Sequence, residues 1–266
     1  MVAMVGVGGA RWIASLGPFP DVSGIAVSTQ VLDRNGRLLR AYATPEGRWR
    51  LPATVKDVDP RFVAMLLAYE DKRFREHDGV DPLAMARAAL QWVSHGHVVS
   101  GGSTLTMQVA RLLEPRPDRT LGAKLRQVVR AFEIERRMSK DDVLGLYLTL
   151  APYGGNLEGI RAASFAYFGK EPKRLSLAEA ALLVALPQSP EARRPDRSAA
   201  AARRARDRVL ERVADAGVVP VDEVAFARRA PVPSARRPMP ALAPHAADQV
   251  VMDFPKRHVH HLTIDA

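Results

Sequence analysis

Apolar and polar positions alternate first with a period of two and then, for most of the chain, with a helical period. Ser28 to Tyr42 reads as a β-hairpin: Val31 and Leu32 precede Asn35-Gly36, the preferred pair for a tight type I′ turn, and Leu38 and Leu39 follow. Beyond it, nothing reads clearly as strand until the final residues, and helices follow one another behind recognisable start signals. Asp59-Pro60 supplies an N-cap and a proline at the first helical position for a helix to about Tyr69, and Asp81-Pro82 repeats the signal for one to about Ser94. Ser103 is expected to cap a helix through Leu113. Thr120 opens a long one ending near Met138, Ser139 to Asp142 a capping-box variant running to Leu150, and Asn156 a helix through Tyr167. Ser176-Leu177-Ala178-Glu179 is a capping box for a helix ending at Leu186, and Asp196 to Ala216, rich in Ala and Arg, reads as a long exposed helix.

From Ala230 to Pro244 the chain is rich in Pro, Ala and Arg, which reads as an extended linker. His258 to Ala266 alternates like a strand; His258, His260 and His261 in it are candidate metal ligands, weighed against a plain strand opening a further domain. The first ten residues are apolar, are broken by Arg11 and fall short of the ~20 residues that cross a bilayer. They read either as the stub of a membrane helix or as a frayed terminus.

Composition narrows the class. A chain of 266 residues with 47% hydrophobic and 6% aromatic residues can build one large helical core or a core plus an appendage. With no cysteine, neither disulfides nor a thiolate zinc site is available. The net charge of +10 favours anionic partners: nucleic acid, acidic lipid headgroups or phosphorylated substrates. No nucleic-acid-binding motif accompanies it, and aromatics for base stacking are few.

The candidate chemistry lies in three segments. An apolar run, Phe62 to Leu67, ends in adjacent carboxylates, Glu70 and Asp71. About thirty residues later Gly101-Gly102-Ser103-Thr104-Leu105-Thr106-Met107-Gln108 brings a glycine turn, hydroxyls and an amide. A cationic stretch from Arg111 to Arg137 follows. A carboxylate beside apolar surface is a candidate general base, and cations near it suit a leaving group that gains negative charge. The three together point to transfer from a phosphorylated donor.

In order and spacing these segments resemble the peptidoglycan glycosyltransferases of family 51. The first motif stands as Glu70-Asp71-Lys72-Arg73-Phe74-Arg75-Glu76-His77-Asp78-Gly79 and the second as Gly101 to Gln108; Arg137 to Lys140 with Leu146-Tyr147-Leu148 matches a further signature. Tyr69-Glu70-Asp71, Val99 to Arg111, Ala151 to Gly155 and Leu186 to Pro190 are most similar to the type 1C class A penicillin-binding proteins. Two positions depart from the family pattern: Met107 stands where the second motif usually has glutamine, and Gln127 where the third motif usually has glutamate. The second departure weakens any claim for a metal held there.

The resemblance implies a mainly α, lysozyme-like helical glycosyltransferase domain with a small N-terminal β-hairpin. It divides the chain into a membrane-anchor remnant and linker (1–24), the glycosyltransferase domain (25–217), and a linker with the start of a truncated transpeptidase domain (218–266). It implies polymerisation of lipid II into β-1,4 glycan strands, with inversion and release of undecaprenyl pyrophosphate, at the periplasmic face of the cytoplasmic membrane. Glu70 is then the catalytic base. Asp71, Ser103, Thr104, Gln108, Arg111, Arg119, Lys124, Arg126 and Gln127 contact substrate, with the cations on the pyrophosphate. No cofactor is required; Mg²⁺ or Mn²⁺ as a pyrophosphate counterion is compatible. Partners are lipid II, the growing strand, the membrane surface and cell-wall synthesis proteins, with no nucleic acid. Phe74 is expected in the core, His77 as a structural hydrogen-bonder, and Arg130 and Arg136 on a solvated helix face. Ala88 to Val93 and His97 to Val99 are candidates for bilayer contact, Trp92 as an interfacial residue. The alternatives weighed are a lysozyme-like muramidase, a non-catalytic anionic-lipid-binding protein, and an inactive cell-wall scaffold.

Overall fold

A computed structural model describes residues 12–95, 102–115 and 120–264. The chain forms two compact units. The first comprises residues 1–25 and 73–143, the second residues 26–72 and 144–266. Helix dominates both, as the periodicity predicts.

In the second unit the hairpin forms from β1 (Thr29–Leu32) and antiparallel β2 (Leu38–Tyr42). The connection is not the two-residue type I′ turn expected, because Asn35 does not take a positive φ; only Gly36 does, at 79°. Five residues span the gap instead, organised by Asp33. Its buried carboxylate accepts hydrogen bonds from the backbone N–H groups of Asn35 and Arg37, both at 2.8 Å. The side chain supplies the acceptor that a tight turn would find in its own backbone. Two further strands, β3 (Trp49–Arg50) and β4 (Leu157–Glu158), pair in parallel and escaped the periodicity because two residues carry no alternation.

The core of this unit is built round helix α7 (Leu177–Ala185), whose capping box from Ser176 and Glu179 forms as predicted. Every residue from Ala180 to Ala185 is buried, so the helix is apolar all round, the signature of an element enclosed by its neighbours. It packs against α1 (Pro60–Glu70), capped by Asp59 with Pro60 at the first helical position, and against α8 (Ala199–Asp215). Helix α8 was expected to be exposed. Instead Ala202, Ala205, Val209, Leu210 and Val213 turn inward, and Arg206 is 1% exposed, its guanidinium donating to the Arg228 and Ala230 carbonyls and to Asp207. Those carbonyls belong to the segment after α9 (Val221–Ala227), so the Pro/Arg-rich stretch that follows is tied down rather than loose. Arg237 N–H adds a 2.6 Å bond to the Ala166 carbonyl in α6 (Ile160–Phe168). Helix α6 starts after Gly159, not at Asn156, whose amide donates instead to the Gly47 carbonyl. Beyond α10 (Pro244–Asp253), strand β5 (Val259–His261) joins β1 in parallel. His260 is buried there with a ring nitrogen 3.0 Å from the Arg257 carbonyl, a structural placement.

The first unit holds helices α2 (Pro82–His95), α3 (Leu105–Leu113) and α4 (Leu121–Glu135), with α3 packed on α4. Helix α5 (Lys140–Leu150) follows, its start closed by Ser139 and Asp142 as expected. Arg130 corrects the sequence reading. It was assigned to a solvated face but is 2% exposed. Its guanidinium pairs with Glu114 and Glu133 and donates to the carbonyls of Leu16, Gly17 and Pro18. A guanidinium has five donors in a fixed fork, so one side chain can gather two carboxylates and a turn of backbone that would otherwise be left unpaired. Arg136, by contrast, is exposed as expected.

Replacing Arg130 with Met should therefore take a donor from two carboxylates and three carbonyls, of which only Glu114 and the Leu16 carbonyl keep a bond from Arg126. Destabilisation of about 3–5 kcal/mol is expected, read as a lower urea midpoint at unchanged slope. A variant as stable as the parent would show that these bonds contribute nothing net.

Candidate functional site

The residues singled out in the sequence fall in both units, and each group has its own construction.

In the second unit, Glu70 is the last residue of α1, at the end of the apolar run that anchors this helix against α7 and α8. Glu70 Oε1 accepts a 2.8 Å hydrogen bond from Gln188 Nε2, and Arg73, in the first unit, pairs with Asp81. Asp71 is the C-cap, its N–H bonded to the Leu67 carbonyl and its side chain buried.

In the first unit the rest of the first motif is pinned by a network. Phe74 is buried, as expected, with the His77 ring edge-on at 6.3 Å. Lys140 Nζ donates to the His77 carbonyl and pairs with Glu135 at 2.7 Å, while lying 4.6 Å from the Phe74 ring centre. Thr106 adds a 2.6 Å bond to the same Glu135 oxygen. Gly79 has φ +90°, and a β-carbon there would stand 2.7 Å from the Ala131 carbonyl oxygen. Both the dihedral and the contact demand glycine. Glu135 is a residue the sequence reading missed. Its signal was available: it stands four residues after Ala131 on α4 and five before Lys140, whose segment matches a family signature.

The second motif departs from expectation in one detail. Thr104, not Ser103, caps α3, its Oγ1 accepting from Met107 N–H at 3.1 Å and donating to the Gly79 carbonyl at 2.5 Å. Ser103 is thereby released from capping. Its hydroxyl accepts from Lys124 Nζ, and Gln127 Oε1 lies 3.5 Å from the same nitrogen. Ser103, Lys124 and Gln127 thus form one cluster, with Gln108 part-buried on α3.

The cations divide by how their charge is met. Arg126 pairs with Glu114 at 3.3 Å and also donates to the Leu16 carbonyl. Lys124 meets only neutral oxygens, and no carboxylate pairs with it among the described residues. Burial pulls its ammonium below the usual lysine range, and the neighbouring Arg111 charge lowers it further. Arg111 itself is exposed, at the end of α3. Arg119 lies outside the described residues, as do Gly101, the His97 to Val99 stretch and the side chains of Ala88, Ala89 and Gln91 to Val93. An ammonium beside a neutral amide is not a donor set for a divalent ion, which wants carboxylate and carbonyl oxygens. Among the described residues no group of three or more His, Asp or Glu could hold a metal.

Comparison with known proteins agrees with the motifs. The chain is 50% identical to penicillin-binding protein 1C of Escherichia coli (strain K12) over 214 residues, which is 80% of this chain and 28% of that protein. It is 36% identical to penicillin-binding protein 1A of the same organism over 205 residues, 75% of this chain and 24% of the other. The chain thus spans about a quarter of the length of these curated relatives. A solved structure of penicillin-binding protein 1A from Haemophilus influenzae matches 88% of this chain and 25% of its own, at 19% identity and a TM-score of 0.45. The transglycosylase family model aligns with residues 35–214, a stretch that holds Glu70, the capped second motif and the Lys124 cluster, and by that match the chain belongs to the transglycosylase family.

Proposed function

We propose that this chain polymerises lipid II, joining glycan units with inversion at the anomeric carbon and release of undecaprenyl pyrophosphate. The 4-hydroxyl oxygen of the acceptor sugar attacks the anomeric carbon of the donor. Glu70 takes the hydroxyl proton as the new bond forms, and the bond to the pyrophosphate oxygen breaks with its electron pair leaving on the diphosphate. A sugar hydroxyl is a very weak acid, so proton removal has to run with bond formation and needs a carboxylate held at hand.

The observation that carries this reading is the Lys124 cluster. A desolvated ammonium next to a second cation, with only a hydroxyl and an amide for company, is an unfavourable arrangement on its own. An anion with several oxygens relieves it. A diphosphate supplies such oxygens and gains charge as it leaves, so cations already in place stabilise the transition state without reorganising. Ser103 and Gln127 hold the ammonium by neutral contacts and leave its charge uncancelled. Arg111 is the second cation of this group. Arg126, matched by Glu114, serves better as scaffold than as phosphate ligand. Hydrolysis of the same glycosidic bond offers no comparable anionic leaving group, which favours synthesis over cleavage.

Contact with the bilayer that carries the substrate is supported by exposed apolar side chains of the first unit, Leu83 and Leu90 on α2 and Leu121 and Leu125 on α4. No helix among the described residues is long and apolar enough to cross a membrane. We place the activity at the periplasmic face of the cytoplasmic membrane, with lipid II and the growing strand as partners.

With labelled lipid II in detergent, Glu70→Gln should lower polymerisation by about 10²–10⁴-fold while thermal midpoint and lipid II binding stay unchanged. Near-normal polymer formation in that variant would remove Glu70 from the role of base. Lys124→Ala should reduce kcat/KM by about 10–100-fold and flatten its dependence on salt. The same change should not lower the thermal midpoint, because it removes a half-buried charge that is disfavoured by the neighbouring Arg111. Turnover and salt dependence both equal to the parent would assign Lys124 to scaffolding alone.

A further inference from the structure

Glu70 does not stand alone at the end of its helix. Gln188 Nε2 donates to its Oε1 at 2.8 Å, and Arg193 Nη1 donates to Gln188 Oε1 at 3.0 Å. Arg193 Nη1 also donates to the Ala185 carbonyl at 2.7 Å, at the C-terminal end of α7, where a cation is favourable. A guanidinium can only donate and a carboxylate can only accept. The amide between them therefore has one orientation that satisfies both, with its oxygen toward Arg193 and its nitrogen toward Glu70. The backbone that carries the relay is equally constrained. Leu186 to Gln188 is a single 3₁₀ turn continuing α7, with Pro187 inside it and Pro190 just after. Ser189 N–H bonds the Leu186 carbonyl at 3.1 Å, and Arg193 N–H bonds the Ser189 carbonyl at 3.0 Å. Helix α7 is the buried centre of this unit and packs against α1, so both ends of the relay are fixed to the same core.

We propose that Gln188 is a positioning residue for the base, with its polarity set by Arg193. The proposal rests on the reading of Glu70 as general base. The arrangement has a chemical rationale. A direct Arg–Glu70 ion pair would occupy the carboxylate bidentately and hold it in its ionised form too firmly to accept a proton. A neutral amide between Arg193 and Glu70 fixes one oxygen, Oε1, without setting a formal positive charge against it. Gln188 is exposed, so the bond competes with water in the free enzyme and tightens when bound substrate excludes it. Its benefit therefore falls mainly on the chemical step.

Two substitutions separate this role from a structural one. Gln188→Met keeps the length but makes no hydrogen bond. Gln188→Glu keeps the volume and the contact to Arg193 but turns a donor toward Glu70 into a second carboxylate. A merely structural role makes the Glu variant the milder of the two. Positioning makes it the more severe, with kcat down by about 100-fold against about 10-fold for Met, at unchanged KM and thermal midpoint. Arg193→Gln tests the same relay without touching residue 188 and should lower kcat about threefold to tenfold. The measurement is steady-state turnover of labelled lipid II by the full 266-residue chain, with Glu70→Gln assayed alongside. If Glu70→Gln is inactive while Gln188→Glu matches or exceeds Gln188→Met, the positioning role is overturned and the base survives. If Glu70→Gln turns over normally, the base reading itself fails and takes the relay with it.

Discussion

The Lys124 cluster of the first unit depends on one close backbone approach. Gly79 lies against the Ala131 carbonyl of α4 with no room for a side chain, and its own carbonyl accepts from Thr104 at the start of α3. Thr104 is therefore the cap, and Ser103, one residue earlier, faces Lys124 on the same α4 that Gly79 touches. Three segments far apart in sequence close a circuit: first-motif turn to α4, turn to α3, α3 back to α4. Each contact is small. Closed on one another, they fix where an ammonium sits to within a hydrogen bond.

Charge in this unit is sorted rather than simply accumulated. The sequence shows a run of basic residues, with Lys124 and Arg126 expected on the pyrophosphate and Arg130 and Arg136 on a solvated face. The structure instead gives Glu114 to both Arg126 and Arg130, adds Glu133 to Arg130, and leaves Lys124 with neutral company. The buried arginine organises backbone, while the half-buried lysine keeps its charge uncompensated by any carboxylate among the described residues.

In the second unit Glu70 belongs to a different kind of construction. Helix α7 is enclosed by α1 and α8, and Glu70 and Gln188 both project from the margin of that packed core. Geometry at the margin of a dense core is inherited from the core, since packed helices shift little on the scale of a hydrogen bond. The Pro/Arg-rich stretch after α9 belongs to the same assembly through Arg206, Arg236 and Arg237.

Local signals determined most of the helices. Asp59-Pro60, Asp81, Thr120, Ser139 and Ser176 all start helices where the sequence places them, because a cap is decided by a side chain and the N–H groups two or three residues away. The motifs likewise identified the family, since their chemistry is written in consecutive residues. What failed was whatever a distant partner decides. Ser103 and Thr104 are equally good caps in isolation, and only the Gly79 carbonyl selects between them. Asn156 has a cap's chemistry but is claimed by Gly47, and Asn35 yields the hairpin turn to the Asp33 carboxylate. Arg130 and Arg206 show nothing in sequence to distinguish them from solvated residues. Their roles come from carbonyls and carboxylates brought close only by folding, because hydrogen bonds and desolvation act over a few ångströms in space and not along the chain.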